Sequence, residues 1–356
     1  MTHVLVTGGG GFIGTHWCRA LAAAGANGVV LDCNGQTSPL PPGWRYVRGD
    51  VRDMELVYTL VGESTRVVHL AAAHHDAGIP ADSYADVNVQ GTAVVLHAMS
   101  AHARTDIVFT SSVAVYGDAP GATETTTPRP VSPYGITKLA AEARIAQWVA
   151  ALPGRRAIVL RPAVVIGPGH FANMYSLMKQ IDSGFLVHVG TAMNVKSLSS
   201  ARTVVEAGEW MRGHLADGFH VANVVSEPQL SSADIIRHVS RALGKRPPRF
   251  RIPLSAAMFV ASVVEGTAKV MQRSTSISAA RVRKLFDAET LFEPAYLRTA
   301  RFAPTDTTEI ALREMAEWFL ESGRQAVRET RLPPASVVRQ SVSSSRADVA
   351  PQVANG

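Results

Sequence analysis

The sequence predicts an α/β fold: a doubly wound parallel sheet with a smaller mixed α/β domain after it. Three observations carry this. The first 165 residues alternate short apolar runs with helical patterns, the signature of βα units and a parallel sheet covered on both faces. A glycine cluster, Thr7 to Gly14, separates the first apolar run from the first helical stretch. After Arg161 the rhythm breaks at Gly167-Pro168-Gly169.

The elements follow in order. His3–Thr7 reads as a buried strand and is followed by an amphipathic stretch to Ala24. Further strands are expected at Gly28–Leu31, Trp44–Val47, Arg66–Leu70, Asp106–Ser111 and Ala157–Arg161. Helical periodicity covers Tyr84–His102 and Pro133–Ala151. Beyond the break, helices are expected at Phe171–Ser183, Ser232–Leu243 and Thr307–Ser322. The expected domains are 1–165 for a nucleotide-binding unit, with a return segment near 190–225, and 166–332 for substrate; the Pro-, Ser- and Val-rich 333–356 reads as a disordered tail.

Composition narrows the class. The chain has 356 residues, too many for one comfortable core, and with 46% hydrophobic and 18% charged residues it is globular. Two cysteines, Cys18 and Cys33, support neither a disulfide framework nor a thiolate metal site, so a cytoplasmic location is expected. The start, MTHVLVTGGG, lacks a leader pattern, and no apolar run reaches the roughly 18–20 residues that span a bilayer. The net charge is +6, and it is localised. Ile235 to Phe286 holds eleven Lys or Arg against one acid, Glu265, so the rest of the chain is net negative. Within that segment Ile252 to Val264 is apolar, between Arg249 and Arg251 on one side and Lys269 and Arg273 on the other. Such a helix either rests at an anionic membrane surface, giving a peripheral contact through 249–273, or is a core helix between solvated basic faces. No nucleic-acid fold or set of stacking aromatics accompanies the basic segment, so nucleic acid is not an expected partner.

The glycine cluster carries the first functional expectation. Gly8, Gly11 and Gly14 give a GxxGxxG spacing between a strand and a helix. That arrangement lets backbone approach a pyrophosphate, which the helix N-terminus then holds. Asp32 ends the next strand about 20 residues on, where a carboxylate accepts from an adenosine ribose and repels a 2′-phosphate. The expected cofactor is therefore NAD; the alternative for Asp32 is a turn-forming role. Asp50, after the third strand, is placed to reach the adenine amino group.

The second expectation is catalytic. Tyr134 and Lys138 are spaced i, i+4 near a helix start, on one face. A tyrosine of pKa near 10 is a poor base, but a neighbouring ammonium and an oxidised nicotinamide favour the phenolate. Ser111 and Ser112 end the fifth strand, where Ser112 can bond the same substrate oxygen. The alternative is an ordinary surface helix. His74-His75 lacks a third ligand of suitable spacing, so no metal is expected.

With these motifs the chain resembles the extended short-chain dehydrogenase/reductase family, in its NAD-dependent epimerase/dehydratase branch. The carriers are TGGGGFIG (7–14), GDVRD (49–53), HLAA (69–72), DVNVQGT (86–92), FTSSVAVYG (109–117), SPYGITK (132–138) and RPAVVIGPG (161–169). The resemblance implies a Rossmann-type sheet, Tyr134 as base, Lys138 on the nicotinamide ribose, Ser112 assisting and Asn88 in a supporting role. It also implies Phe12 and Ile13 on the pyrophosphate, Asp50 and Val51 on adenine, and Ala71 near the cofactor's ribose. Sugar-nucleotide members usually carry Asn three residues after the Arg of the sixth strand, on the substrate diphosphate; here Val164 stands there.

HHD (74–76), NMYSLMKQI (173–181), VGTAMNVKS (189–197) and SAARVRKLF (278–286) resemble the bacterial members acting on lipid-linked sugars. They imply a sugar 4-epimerase interconverting N-acetylglucosamine and N-acetylgalactosamine on a polyprenyl diphosphate, or on a nucleotide diphosphate, at the inner face of the membrane. His74, Asn173, Asn194 and Lys196 are the candidate substrate contacts, each with a loop or solvated-turn alternative, and a homodimer is the expected assembly. Two rivals stay open: a net dehydrogenase of the 3β-hydroxysteroid type, and a non-enzymatic NAD-binding regulator, which would have no need of Ser112, Tyr134 and Lys138.

Overall fold

The computed structural model describes residues 2–36, 38–74, 81–184, 186, 188–247, 251–270 and 289–325. His75, Asp76, Arg249, Arg273, the motif at 278–286 and the tail at 333–356 lie outside them. The chain opens with β1 (His3–Thr7), α1 (Phe12–Ala23), β2 (Asn27–Asp32), β3 (Trp44–Arg48), α2 (Met54–Gly62) and β4 (Arg66–His69). It continues with α3 (Ala81–Tyr84), α4 (Gly91–Ala101), β5 (Asp106–Thr110), α5 (Pro133–Ala150), β6 (Arg156–Pro162), β7 (Val164–Ile166) and α6 (Asn173–Asp182). Then come β8 (His188–Val189), β9 (Val195–Lys196), β10 (Leu198–Ser200), α7 (Ala201–His214), β11 (Gly218–Val224), β12 (Leu230–Ser231) and α8 (Ser232–Ala242). The described chain ends with β13 (Arg251–Ile252), α9 (Leu254–Val270), α10 (Ala295–Thr299) and α11 (Thr308–Trp318).

Seven strands form one parallel sheet in the order β11-β6-β5-β4-β1-β2-β3. Order reverses beside β1, so the carboxyl ends of β1 and β4 flank a crevice of the kind that receives ligands. The buried strands are almost unbroken Val, Ile and Leu, as a sheet covered on both faces requires. One face packs Val4, Val6 and Val30 against Trp17, Leu21 and Met211 of α1 and α7. The other packs Leu5, Val67 and Ile107 against Val57, Met99 and Ile145 of α2, α4 and α5. A separate core joins α6, α8 and α11 through Met178, Ile236, Val239, Leu312 and Met315.

Side-chain caps set several helix starts: Ser132 accepts from the Gly135 N–H before α5, with Pro133 in the first turn, and Ser200, Ser231 and Thr307 cap α7, α8 and α11. The helix expected over Tyr84–His102 is interrupted by a π-helical segment, Ala85–Gln90, between α3 and α4. Sheet and helices agree with the sequence expectation at this level. The strand β11, arriving from beyond residue 165, completes the sheet beside β6.

Candidate active site

The glycine loop is shaped by contact as much as by freedom. A Cβ on Gly14 would lie 2.5 Å from Gly9 Cα and 2.6 Å from the Gly8 oxygen, so only glycine lets α1 start this close to the loop. Gly8 has φ of 69° and its α-carbon faces the Ala71 backbone, which brings the ends of β1 and β4 together. Gly11 caps α1 without a side-chain bond, so the first-turn N–H groups at Phe12 and Ile13 keep their capacity for an anion. Asp32 Oδ2 accepts from the Gly10 N–H at 3.0 Å, and Oδ1 accepts from Asn34. The carboxylate is thereby fixed at the end of β2 with lone pairs left for a ribose. These donors and the glycine cradle fit a dinucleotide.

Asp50 is clasped by the Arg52 side chain at 2.6 and 2.9 Å. Burial raises its pKa, but the Arg52 bonds outweigh this and hold it below the usual carboxylate range. Val51 is buried and packs on Gly91.

The catalytic candidates converge at the carboxyl end of β5. Ser111 is buried, whereas Ser112 is half-buried and its Oγ accepts from the Ala114 N–H at 3.1 Å. With that lone pair engaged, the Ser112 hydroxyl proton can be donated outward. Tyr134 is half-buried in the first turn of α5. Lys138, one turn on, is buried; its Nζ donates to the Thr110 carbonyl at 2.7 Å and lies 5.9 Å from the Tyr134 ring centroid. Burial pushes Lys138 down to about 7, with Glu142 pulling the other way.

Three supporting features take their partners from distant parts of the chain. Asn88, on the π-helical segment, accepts from the Ala73 N–H at 2.7 Å and donates to the Ala73 carbonyl and to Thr137 Oγ1. It ties the loop after β4 to the first turns of α5, giving a physical basis for the supporting role expected of it.

His69 is a second. The Thr92 hydroxyl donates to the Asn88 carbonyl at 2.6 Å, so it accepts from His69 Nε2–H at 3.0 Å. Nδ1 is then bare and accepts from Thr7 Oγ1 at 2.6 Å. Burial, and secondarily the Lys138 charge, push His69 down to about 3, consistent with this neutral tautomer.

The third is a buried pair. Arg161 donates twice to Glu142, one turn beyond Lys138, and once to Tyr116. Tyr116 in turn donates to Asn223 on β11.

The substrate candidates are spread wider. His74 follows the β4 loop and is exposed, its Nδ1 3.3 Å from the Ala72 oxygen. Asn173 is exposed at the start of α6. Asn194 is buried and its carbonyl accepts from Ser232, and Lys196 lies half-buried in β9, pairing with Leu230. Val164 is exposed in β7.

A sheet with a glycine phosphate loop and a Ser–Tyr–Lys edge defines a nicotinamide-dependent enzyme of the short-chain type. Comparison with known proteins agrees. Residues 4–212 match the NAD dependent epimerase/dehydratase family, and the chain belongs to that family; its cofactor is NAD. It is 33% identical over 302 residues to the N-acetyl-alpha-D-glucosaminyl-diphospho-ditrans,octacis-undecaprenol 4-epimerase of Escherichia coli, covering 84% of this chain and 90% of that one. A UDP-glucose 4-epimerase of Yersinia pestis is 29% identical over 282 residues, covering 68% and 83%. Among solved structures, the UDP-glucose 4-epimerase of Thermus thermophilus in complex with NAD superposes with a TM-score of 0.70 at 24% identity, over 90% of this chain and 100% of that one. The UDP-glucuronic acid 4-epimerase of Bacillus cereus in complex with NAD gives 0.71 at 20% identity, over 90% and 99%.

Proposed function

We propose that the protein is a sugar 4-epimerase acting on N-acetylglucosamine or N-acetylgalactosamine carried by a polyprenyl diphosphate. The observation that carries the chemistry is the convergence of Ser112, Tyr134 and Lys138 at one strand end beside the phosphate loop. The carrier is supported by the similarity to the undecaprenol-linked enzyme, which runs over 84% of this chain, against 68% for the UDP-glucose enzyme of Yersinia pestis. Val164, an exposed apolar residue where the resemblance puts a diphosphate-binding Asn in sugar-nucleotide members, departs from the UDP-galactose-type pattern.

Tyr134, as phenolate, removes the proton of the C4 hydroxyl while Ser112 donates to the same oxygen. Lys138, held from behind by Thr110, lies beside the Tyr134 ring and favours the phenolate. NAD, held by the glycine loop and Asp32, would supply a reversible acceptor for the C4 hydride, so turnover would carry no net redox change. The 4-keto sugar turns over in the site, and Tyr134 returns the proton as the alcohol re-forms on the opposite face. Gly8, Gly11, Phe12, Ile13 and Gly14 hold the pyrophosphate, Asp32 the adenosine ribose, Asp50 and Val51 the adenine side, and Ala71 the neighbouring ribose region. His74, Asn173, Asn194 and Lys196 are proposed on the substrate side.

Among the described residues, no helix is long and apolar enough to cross a membrane. On α9, Phe259 is 71% and Val263 49% exposed, beside a basic sequence. We read this face as resting at an anionic membrane surface, where a prenyl diphosphate presents its charge.

The test incubates protein and NAD with the undecaprenyl-diphosphate sugar and, separately, with UDP-N-acetylglucosamine. Conversion of the lipid-linked sugar without net NADH is expected. Turnover of the free nucleotide sugar alone rejects the carrier, and stoichiometric NADH favours the dehydrogenase alternative.

A further inference from the structure

We propose that the turn Gly167–His170 is a latch on the pyrophosphate-binding end of α1, and that His170 and His16 are positioning residues that slow NAD release. The inference rests on the reading that NAD is recycled within the site, since a cofactor never exchanged gains from being held.

The turn is built to be rigid. The His170 N–H donates to the Gly167 carbonyl at 3.2 Å, with Pro168 and Gly169 at the centre. Pro168 presets its own φ, and Gly169 has φ of 89°, the pattern of a type II turn. This tight turn between β7 and α6 delivers an aromatic ring to a fixed place.

That place is Phe12, the first residue of α1. The His170 ring stacks on Phe12 with centroids 4.4 Å apart and planes 11° from parallel. His16, one turn along the helix, packs edge-on against the same ring at 5.1 Å. Burial holds the His16 pKa below the ordinary histidine value overall, while the Pro168 backbone lies near enough to the imidazole to favour its protonated form. A Cβ on Gly167 would come within 3.1 Å of the Phe12 ring, so the turn lies directly against it. Phe12 is therefore clamped from two sides, by its own helix and by a turn from beyond β7. Its N–H belongs to the first-turn set that faces the pyrophosphate. On this proposal, drawing the first turn of α1 away from the anion separates these rings, and the turn that holds them belongs to the substrate-side half of the sequence.

The experiment loads the wild-type protein, His170→Ala and His170→Phe with NAD, removes free nucleotide by rapid gel filtration, and quantifies retained NAD over time without sugar. Loss of one aromatic pair predicts about three- to tenfold faster release from His170→Ala. His170→Phe keeps a ring on Phe12 and should release at the wild-type rate. Equal release from wild type and His170→Ala overturns the latch. So does release from His170→Phe as fast as from His170→Ala, because stacking would then not be the cause. Far-ultraviolet circular dichroism on each variant separates a lost latch from a lost fold. Because no sugar is present, failure here is distinct from failure of the epimerase reading, which shows as NADH accumulation during turnover.

Discussion

Lys138 and Thr110 are bonded across the edge of the sheet, ammonium to carbonyl, at 2.7 Å. Thr110 is the last residue of β5, immediately before Ser111-Ser112, and Lys138 sits one turn after Tyr134 on α5. This one bond thus fixes the strand that carries Ser112 against the helix that carries Tyr134. The spacing of the proposed catalytic groups is set by a buried bond and not by an exposed loop, as a preorganised site requires.

Tyr134→Phe removes the phenol hydroxyl and keeps the ring. Epimerisation should fall by about 10²–10⁴, the usual worth of a positioned acid–base group. NAD binding should persist, because the proposed pyrophosphate and adenosine contacts, from the glycine loop to Asp32, Asp50 and Val51, lie away from Tyr134 in the chain. Titration of NAD against the variant, beside a turnover assay, checks both halves. Unchanged turnover would remove Tyr134 from the mechanism.

Lys138→Met tests the ammonium separately. Methionine fills the buried space but cannot donate to Thr110 or favour the phenolate. Activity should fall by about two orders of magnitude or more, with the activity optimum displaced to higher pH as the tyrosine loses its cationic neighbour. A variant with the wild-type pH profile would show that Lys138 does not tune Tyr134.

The placement of the glycine loop, Asp32, Ser112, Tyr134 and Lys138 at strand and helix ends was readable in sequence, because residue type there follows local backbone or a fixed helical spacing. His69, Asn88, Glu142 and Arg161 were not readable as a network. Their partners lie far away in the chain: His69 bonds Thr7 and Thr92, and Arg161 bonds Glu142 and Tyr116. The π-helical segment at 85–90 was equally hidden, since a single widened turn leaves helical periodicity over nineteen residues nearly intact. The arrival of β11 beside β6 is a long-range pairing, for which the sequence offered only a return segment near 190–225.

The Glu142–Arg161 pair makes its own prediction. Both side chains are almost wholly buried, 4% and 6% exposed. Glu142→Gln leaves a buried guanidinium without its counter-ion and should cost about 3–5 kcal/mol, read as a lower urea midpoint. Combining Glu142→Leu with Arg161→Met removes both charges and should recover most of that loss. If the single variant is as stable as wild type, the pair is not the anchor that its burial implies.

Gly14→Ala addresses the phosphate loop. Its Cβ would meet backbone atoms of Gly8 and Gly9 at 2.5–2.7 Å, and backbone cannot rotate aside as a side chain can. The loop must move away from the helix start, so NAD affinity should drop by about tenfold or more, since 1.4 kcal/mol of lost contact suffices for that. Calorimetric titration of the purified variant decides it, and an unchanged Kd would mean that the loop does not contact the pyrophosphate.

His69 should be visible in the acid limb of stability. Its pKa is about 3 in the folded chain, depressed first by burial and then by the Lys138 charge, against 6.5 for an unperturbed histidine. The group is a base whose folded pKa lies below its unfolded one, so its contribution is complete above pH 6.5 and is lost as pH falls toward 3. Between those limits the unfolded chain binds a proton that the folded chain refuses, giving a slope of up to about 1.4 kcal/mol per pH unit. Carboxylates titrate in the same range, so the comparison that isolates His69 is with His69→Asn, which has nothing to protonate. Urea unfolding at pH 6, 5 and 4 should show the wild type losing stability more steeply than the variant by about that slope. Parallel curves would mean that His69 is protonated within the fold, and the tautomer chain from Thr7 through Thr92 to Asn88 would then have to be abandoned.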